Sequence, residues 1–188
     1  MPRRMIVTGA PGSGKTTALG EVRETGIEVV VESATDVNQQ MLDVGLVPHE
    51  QPEFLECIVA LQRERRLAAT AERQLHDRSV FCTLALARHL GAPVPAALWA
   101  EIDDVVGWFE PVVLFVAPLG FVTPTTVRRI GYADAQRFGL LHRQVYTEYG
   151  FTIEDVPVGA PGVRAAAFVG AVWGRPSSVP AGVARGYR

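Results

Sequence analysis

A three-layer α/β fold with a central parallel sheet of about five strands is the architecture this sequence predicts, on three observations. Short apolar runs alternate with segments of helical spacing along most of the 188 residues. The first of these runs leads into a glycine-rich loop and then a helix. The second, residues 27–31, is β-branched except for Glu28, the pattern of a strand covered on both faces of a parallel sheet.

Taken in order, residues 5–8 form a short apolar strand, 9–14 a loop, and 15–25 a helix that ends at Gly26. Residues 35–44 read as a short helix. Residues 52–71 read as a long one, opened by Pro52, with Phe54, Leu55, Ile58, Leu61 and Leu67 near helical spacing. A strand is expected over 73–77, although Arg73-Gln74-Leu75-His76 is polar for a central position. Helices follow over 80–90, closed by Gly91, and over 95–109, where Trp99 and Trp108 are expected to pack on the sheet. Residues 111–117 are an apolar strand. After Pro118 come a loop (119–126) and a largely helical segment to Tyr149, stopped by Gly150. The last strand is expected over 151–158 and the last helix over 163–173. One domain therefore occupies residues 1–173, and 174–188, rich in Pro, Gly and Ser with three arginines and no acid, form a flexible tail.

Composition narrows the function. A chain of this length with 48% hydrophobic residues buries about 70% of its unfolded surface. A net charge of −2 supplies no overall field for nucleic acid or anionic membranes. The basic start is followed by too few apolar residues for a signal peptide, and the apolar stretch 111–122, broken by Pro118 and Gly120, is too short to span a bilayer. Cys57 and Cys82 lack C-x-x-C spacing and read as buried thiols of a reducing compartment, so a cytoplasmic location is expected. His49, His76, His89 and His142 share no metal-ligand spacing and read as surface or packed residues.

The chemistry concentrates at Gly9-Ala10-Pro11-Gly12-Ser13-Gly14-Lys15-Thr16, a full match to G-x-x-x-x-G-K-[ST] placed between a strand and a helix. This is a P-loop, so the fold predicted is that of a P-loop NTPase. Gly9, Gly12 and Gly14 let the backbone wrap an anion, and Ser13 lies among the successive N–H groups of that nest. The helix N-terminus adds positive partial charge. Lys15 is the only lysine beside 17 arginines and supplies a compact ammonium for the β- and γ-phosphates. Thr16 offers a hydroxyl to Mg²⁺, and Thr17 reaches toward the α-phosphate. ATP and Mg²⁺ are the expected cofactors.

Phosphoryl transfer also needs a carboxylate near the metal, a group that orients the nucleophile, and cations for the moving charge. The acids directly after expected strands are Glu32 and Asp77, and neither is part of an Asp-Glu pair. Arg78 offers a planar fork for a substrate hydroxyl or phosphate, or a local ion pair with its neighbour.

These residues, with Val29-Val30-Val31-Glu32, Asp77-Arg78-Ser79, Val127-Arg128-Arg129, Tyr146 to Phe151 and Val156-Pro157-Val158, resemble the kinase-like P-loop ATPase domains similar to the nicotinamide riboside kinase domain. The resemblance covers about residues 4–172 and implies a nucleotide-binding kinase core. It implies that Glu32 faces the substrate as general base, that Asp77 holds Mg²⁺ or its water, and that Arg128 and Arg129 are lid arginines closing over the triphosphate. It also places residues 159–164 where such folds contact adenine. Arg137 and Arg143 read as surface charges. The chain departs from the family at Thr35, where an arginine is expected, and at Cys82, where an acid is expected; Asp36 stands near enough to compensate.

The expected function is an ATP-dependent small-molecule kinase that phosphorylates a hydroxyl of a nucleoside-like or other small metabolite, either Glu32 or Asp77 serving as base. The alternative is a nucleotide-dependent ATPase or switch that engages a protein partner through the helices of residues 52–90, and a third is binding without turnover. Neither a nucleic acid nor a membrane is an expected partner.

Overall fold

The computed structural model describes residues 2–10, 12–22, 25–117 and 132–174. Five parallel strands are present: β1 (Arg3–Gly9), β2 (Glu28–Val30), β3 (Arg73–Asp77), β4 (Val112–Val116) and β5 (Thr152–Val156). Their order across the sheet is β2-β3-β1-β4-β5. Parallel neighbours require crossover connections, and the described helices supply them: α1 (Lys15–Val22), α2 (Ala34–Asp43), α3 (Phe54–Ala68), α4 (Val80–Leu90), α5 (Ala96–Val105), α6 (Tyr132–Glu148) and α7 (Pro161–Gly174), with a 3-10 turn at Pro48–Glu50 between α2 and α3.

Strand alternation sorts the core into two layers. Met5, Val7, Leu75, Leu114 and Val116 face α1 and α7 and pack on Leu19, Val22 and Phe168. Ile6 and Val113 face the opposite side, where Phe81, Leu84, Ile102, Val145 and Tyr146 come from α4, α5 and α6. A smaller cluster of Val37, Met41, Phe54, Leu55, Ile58 and Ala87 fastens α2 to α3 and α4.

The β-branched run expected to be a strand covered on both faces is the edge strand β2. It pairs with β3 alone and its three residues are half-buried. The polar run is the interior one. Its Gln74 and His76 are buried because they satisfy each other: His76 Nε2–H donates to Gln74 Oε1 at 3.1 Å, and Gln74 Nε2 donates to the carbonyls of Ala69 and Ala71. The imidazole packs edge-on against Trp108 and Phe109, and burial, with Arg4 and Arg66 adding to it, drives its pKa down to about 3.

Other boundaries are shorter than expected. Helix α3 stops at Ala68, where Ala69 turns extended, and Leu67, expected in the core, is 63% exposed. Helix α5 ends at Val105, and Trp99 on it faces solvent while Trp108, just beyond it, lies under the Arg4 guanidinium. Cys57 is half-buried and Cys82 buried. Helix α7 starts earlier than expected, at Pro161, whose missing N–H suits a first turn. The loop 119–126 and the tail beyond Gly174 lie outside the described residues. Among those described, no helix is long and apolar enough to cross a membrane.

Strand β1 ends against β4 so closely that a Cβ on Gly9, where φ is +146°, would stand 2.5 Å from the Val116 carbonyl oxygen. Gly9→Ala should therefore destabilise the protein by about 2 kcal/mol or more. Gly170→Ala, on an open face of α7 with nothing within 4 Å, should stabilise it by about 0.5–1 kcal/mol. Urea unfolding of the two variants beside wild type checks the contrast.

Candidate active site

The end of β1 and the start of α1 bracket the glycine-rich loop. Gly9, Gly12 and Gly14 all take positive φ (146°, 80° and 77°), which a side chain would resist. Ser13 N–H closes back on the Ala10 carbonyl at 3.2 Å. Lys15 lies folded over this loop: its Nζ donates to Gly9 O at 3.3 Å, to Ala10 O at 3.4 Å and to Ser13 Oγ at 3.3 Å. Burial pulls its pKa down to about 8; Arg78 works in the same direction, against Asp77 and Glu32. Thr16 and Thr17 are exposed on the first turn of α1, where helical N–H groups have no intrahelical partner.

Asp77 reaches the loop through sheet register, for β3 lies beside β1 with Asp77 opposite Val7, two residues before Gly9. Its carboxylate is buried and Oδ1 has no hydrogen-bond partner. Burial raises its pKa to about 6, opposed by Lys15 and aided by Glu32. A cleft of about 330 Å³ opens beside α1, lined by Thr16, Leu19, Gly20, Val29, Val31, Glu32, Thr35, Asp36 and Asp77. The Thr16 hydroxyl and the orphaned Asp77 oxygen thus share one cleft, a hard-oxygen donor set that fits Mg²⁺. Among the described residues no group of three or more His, Cys, Asp or Glu could enclose a metal ion. Mg²⁺ characteristically takes only one or two carboxylates, with phosphates and water completing its shell.

Arg78 joins three elements. Its backbone is left-handed, with φ at 71°, and its N–H donates to Val7 O at 2.9 Å. The guanidinium pairs with Glu32 rather than with its neighbour Asp77: Arg78 Nε lies 2.7 Å from Glu32 Oε1. It also donates to Gly9 O at 3.2 Å and to His142 Nε2 at 3.0 Å. Since Nε2 accepts, the ring proton sits on Nδ1 and is donated to the Phe138 carbonyl at 2.8 Å. Glu32 is held on its other oxygen by Thr35 Oγ1 at 3.1 Å, so one position of departure from the family pattern serves to orient the acid. Asp36 lines the cleft and pairs with Arg65 at 2.5 Å, and Arg65 also donates to the carbonyls of Val31 and Glu32.

The other departure, Cys82, lies behind the loop. Its Sγ lies between Thr8 Oγ1 (3.2 Å) and Tyr146 OH (3.1 Å), and Ser79 Oγ completes the chain. From residues 159–164, Arg164 reaches the loop and donates to the Ser13 carbonyl. Arg137 and Arg143 pair with Asp134 and Asp155 toward solvent, as surface charges do. Arg128 and Arg129 lie outside the described residues. The structure thus brings Lys15, Thr16, Glu32, Asp36, Asp77 and Arg78 to one end of the sheet, has Arg164 of the segment 159–164 on the phosphate loop, and adds His142 and Arg65, which sequence reasoning did not place there. Nothing local in the sequence marks those two, because the partners that bring them to the site stand far along the chain.

The buried histidine makes stability depend on pH. Burial, reinforced by Arg78, holds His142 well below its ordinary pKa, so the unfolded chain binds a proton below about pH 6.5 that the folded chain refuses. Stability is therefore lost as pH falls through that range, by up to about 1.4 kcal/mol per pH unit for each such group. Asp77 acts with opposite sign between about pH 6 and pH 4, since the folded state takes up its proton first. His142→Gln should cost stability at pH 7, and the gap to wild type should narrow toward pH 5. Urea unfolding across that range reads the gap, and one independent of pH would show that His142 is not held neutral.

Comparison with known proteins extends this picture. Residues 4–163 match the model of a family described as AAA domain. No curated protein matches the chain significantly in sequence. Among solved structures, deoxyadenosine kinase from M. mycoides with bound dATP superposes with a TM-score of 0.58 at 14% identity, covering 90% of this chain and 98% of that one. Thymidylate kinase from Ehrlichia chaffeensis gives 0.59 at 13% identity, with 90% and 98% covered. Thymidylate kinase from Candida albicans gives 0.52 at 10% identity, with 91% of each chain covered. At such identities the likeness is one of fold: the five-stranded parallel α/β architecture of P-loop kinases. With its phosphate loop at the end of β1 and the family model running through β5 into α7, the chain belongs to the AAA domain family.

Proposed function

We propose that the protein is an ATP-dependent kinase that transfers the γ-phosphoryl group to a hydroxyl of a nucleoside-like small metabolite. The observation that carries this reading is the cleft beside α1, in which Glu32 and Asp77 stand next to the phosphate loop. A loop alone supports nucleotide binding; a cleft with two acids at its side supports an acceptor.

The roles divide by environment. Glu32, fixed by Arg78 and Thr35 and lining the cleft, accepts the proton of the attacking hydroxyl. Asp77, with a buried oxygen lacking a partner, is the ligand for Mg²⁺ or its water, together with Thr16. When bound, the metal ion neutralises charge on the β- and γ-phosphates. Lys15 exchanges loop carbonyls for phosphate oxygens. Arg128 and Arg129 supply lid charge, and Arg128→Ala should lower kcat more than it weakens ATP binding, as steady-state kinetics beside a titration of ATP would show.

Charge narrows the acceptor. Among the described residues the cleft presents the carboxylates of Glu32, Asp36 and Asp77 against apolar Leu19, Val29 and Val31, while Arg78 and Arg65, which pair with Glu32 and Asp36, lie outside this lining. Such a surface suits an uncharged or cationic acceptor and opposes one that already carries a phosphate. The finer likeness to the nicotinamide riboside kinase domain belongs to this proposal, as an acceptor bearing a ribosyl hydroxyl.

ADP formation from Mg·ATP with a panel of nucleosides, nucleoside monophosphates, sugars and amino alcohols tests it, with Lys15→Ala as the blank. A nucleoside should stimulate the wild type and be recovered phosphorylated, the corresponding monophosphate should not, and Lys15→Ala should be silent. ATP binding without stimulation by any acceptor would replace the kinase by a nucleotide-dependent switch.

A further inference from the structure

Arg164 has no evident purpose in the chemistry above, yet it is only 3% exposed. Burying a charge is costly unless it is paired, and the other buried charges of this face show the rule: Lys15 sits in the field of Asp77 and Glu32, and Arg78 is paired with Glu32. Arg164 departs from it. Among the described residues it forms no ion pair, its Nη1 donates to the carbonyl oxygen of Ser13, and its Nε and Nη2 are buried without a hydrogen-bond partner.

The bond to Ser13 sets the loop's geometry. A trans peptide unit is planar, and its C=O and N–H point in opposite directions. Holding the Ser13 carbonyl toward α7 therefore turns the N–H of Gly14, the other half of the same unit, away from α7. Gly14, at φ 77°, offers little resistance to the opposite orientation, so something outside the glycine must choose. A flipped unit would set an N–H against the guanidinium, and the buried positive charge excludes it.

We infer that Arg164 is a positioning residue of the phosphate loop: it locks the Ser13–Gly14 peptide with its amide toward the bound anion, and its own charge is balanced by the phosphates of the nucleotide instead of by a carboxylate of the protein. The inference rests on the phosphate-loop reading of residues 9–17. It carries an unusual corollary. A residue kept for packing stabilises the protein without ligand, whereas a charge kept for the ligand weakens the empty fold and strengthens the occupied one.

Inorganic tripolyphosphate, which has no base or ribose, is the probe. Its affinity is measured by calorimetry on wild type, Arg164→Met, Arg164→Lys and Lys15→Ala, with ligand-free Tm recorded for each. Arg164→Met should bind tripolyphosphate about tenfold or more weakly, the loss expected for a hydrogen bond to a charged group. Its ligand-free Tm should equal or exceed that of wild type, and Arg164→Lys should recover most of the affinity. The inference is overturned if Arg164→Met keeps wild-type affinity, if Arg164→Lys binds as weakly as Arg164→Met, or if Arg164→Met melts below wild type or does not fold. Should Lys15→Ala lose tripolyphosphate while Arg164→Met does not, only this inference falls; if neither loses it, the phosphate-loop reading falls with it.

Discussion

The guanidinium of Arg78 is the tie on which the candidate site depends. It joins the carbonyl that ends β1, the acid beyond β2 and a histidine of α6. The arrangement carries a cost. The backbone at Arg78 is left-handed, a strain on the order of 1 kcal/mol or more, and the charge lies under protein. Both are offset by a dense set of acceptors: a carboxylate, a carbonyl and a neutral imidazole whose tautomer is set by the helix it sits on. Strain of this kind persists only where its surroundings over-determine it, and at Arg78 they do so beside the phosphate loop.

How much of this was legible in the sequence depends on whether the interacting residues are neighbours in the chain. The phosphate loop is contiguous, so its glycines, Lys15 and Thr16 could be named from spacing alone. Strand β3 was legible despite its polarity, and the structure supplies the reason: Gln74 and His76 complete one another's hydrogen bonds. By contrast, the β-branched run before Glu32 has the composition of a strand covered on both faces, yet it lies at the edge with its residues only half-buried. Composition records what a strand tolerates, and strand order is settled by helices that cross over it. Leu67 and Trp99 fit helical spacing but fall where a helix turns away from the sheet.

The site residues divide in the same way. Glu32, Asp77 and Arg78 stand at strand ends, where ligands gather in parallel sheets, and were found for that reason. His142 and Arg65 act through side chains that cross from helices to the loops at the top of the sheet, and the partners that bring them there are dozens of residues distant. Arg65 was one charge among several on α3, and only packing selects it to clamp the acid-bearing end of β2 to Asp36. Cys82 illustrates the converse. A position that differs from the family pattern turns out to lie behind the loop, in a buried chain of hydroxyls and thiol from Thr8 to Ser79, so its identity bears on how β1 rests on α4 and α6.

Strand β1 is central to the sheet, and that placement governs how the molecule is assembled during synthesis. Its pairing residues reside in segments made much later: Met5 meets Leu75 on one side, and Ile6 meets Val113 on the other. Contacts so distant along the chain close slowly, because the entropy of a long loop must be lost before any pairing is gained. The apolar strand that carries the phosphate loop is thus translated well before the two strands that cover its edges. Both of its hydrogen-bonding edges lack their partners until β3 emerges and one still does until β4 emerges, which makes the interval before residue 116 is made the period in which a nascent chain of this fold most needs protection from other chains.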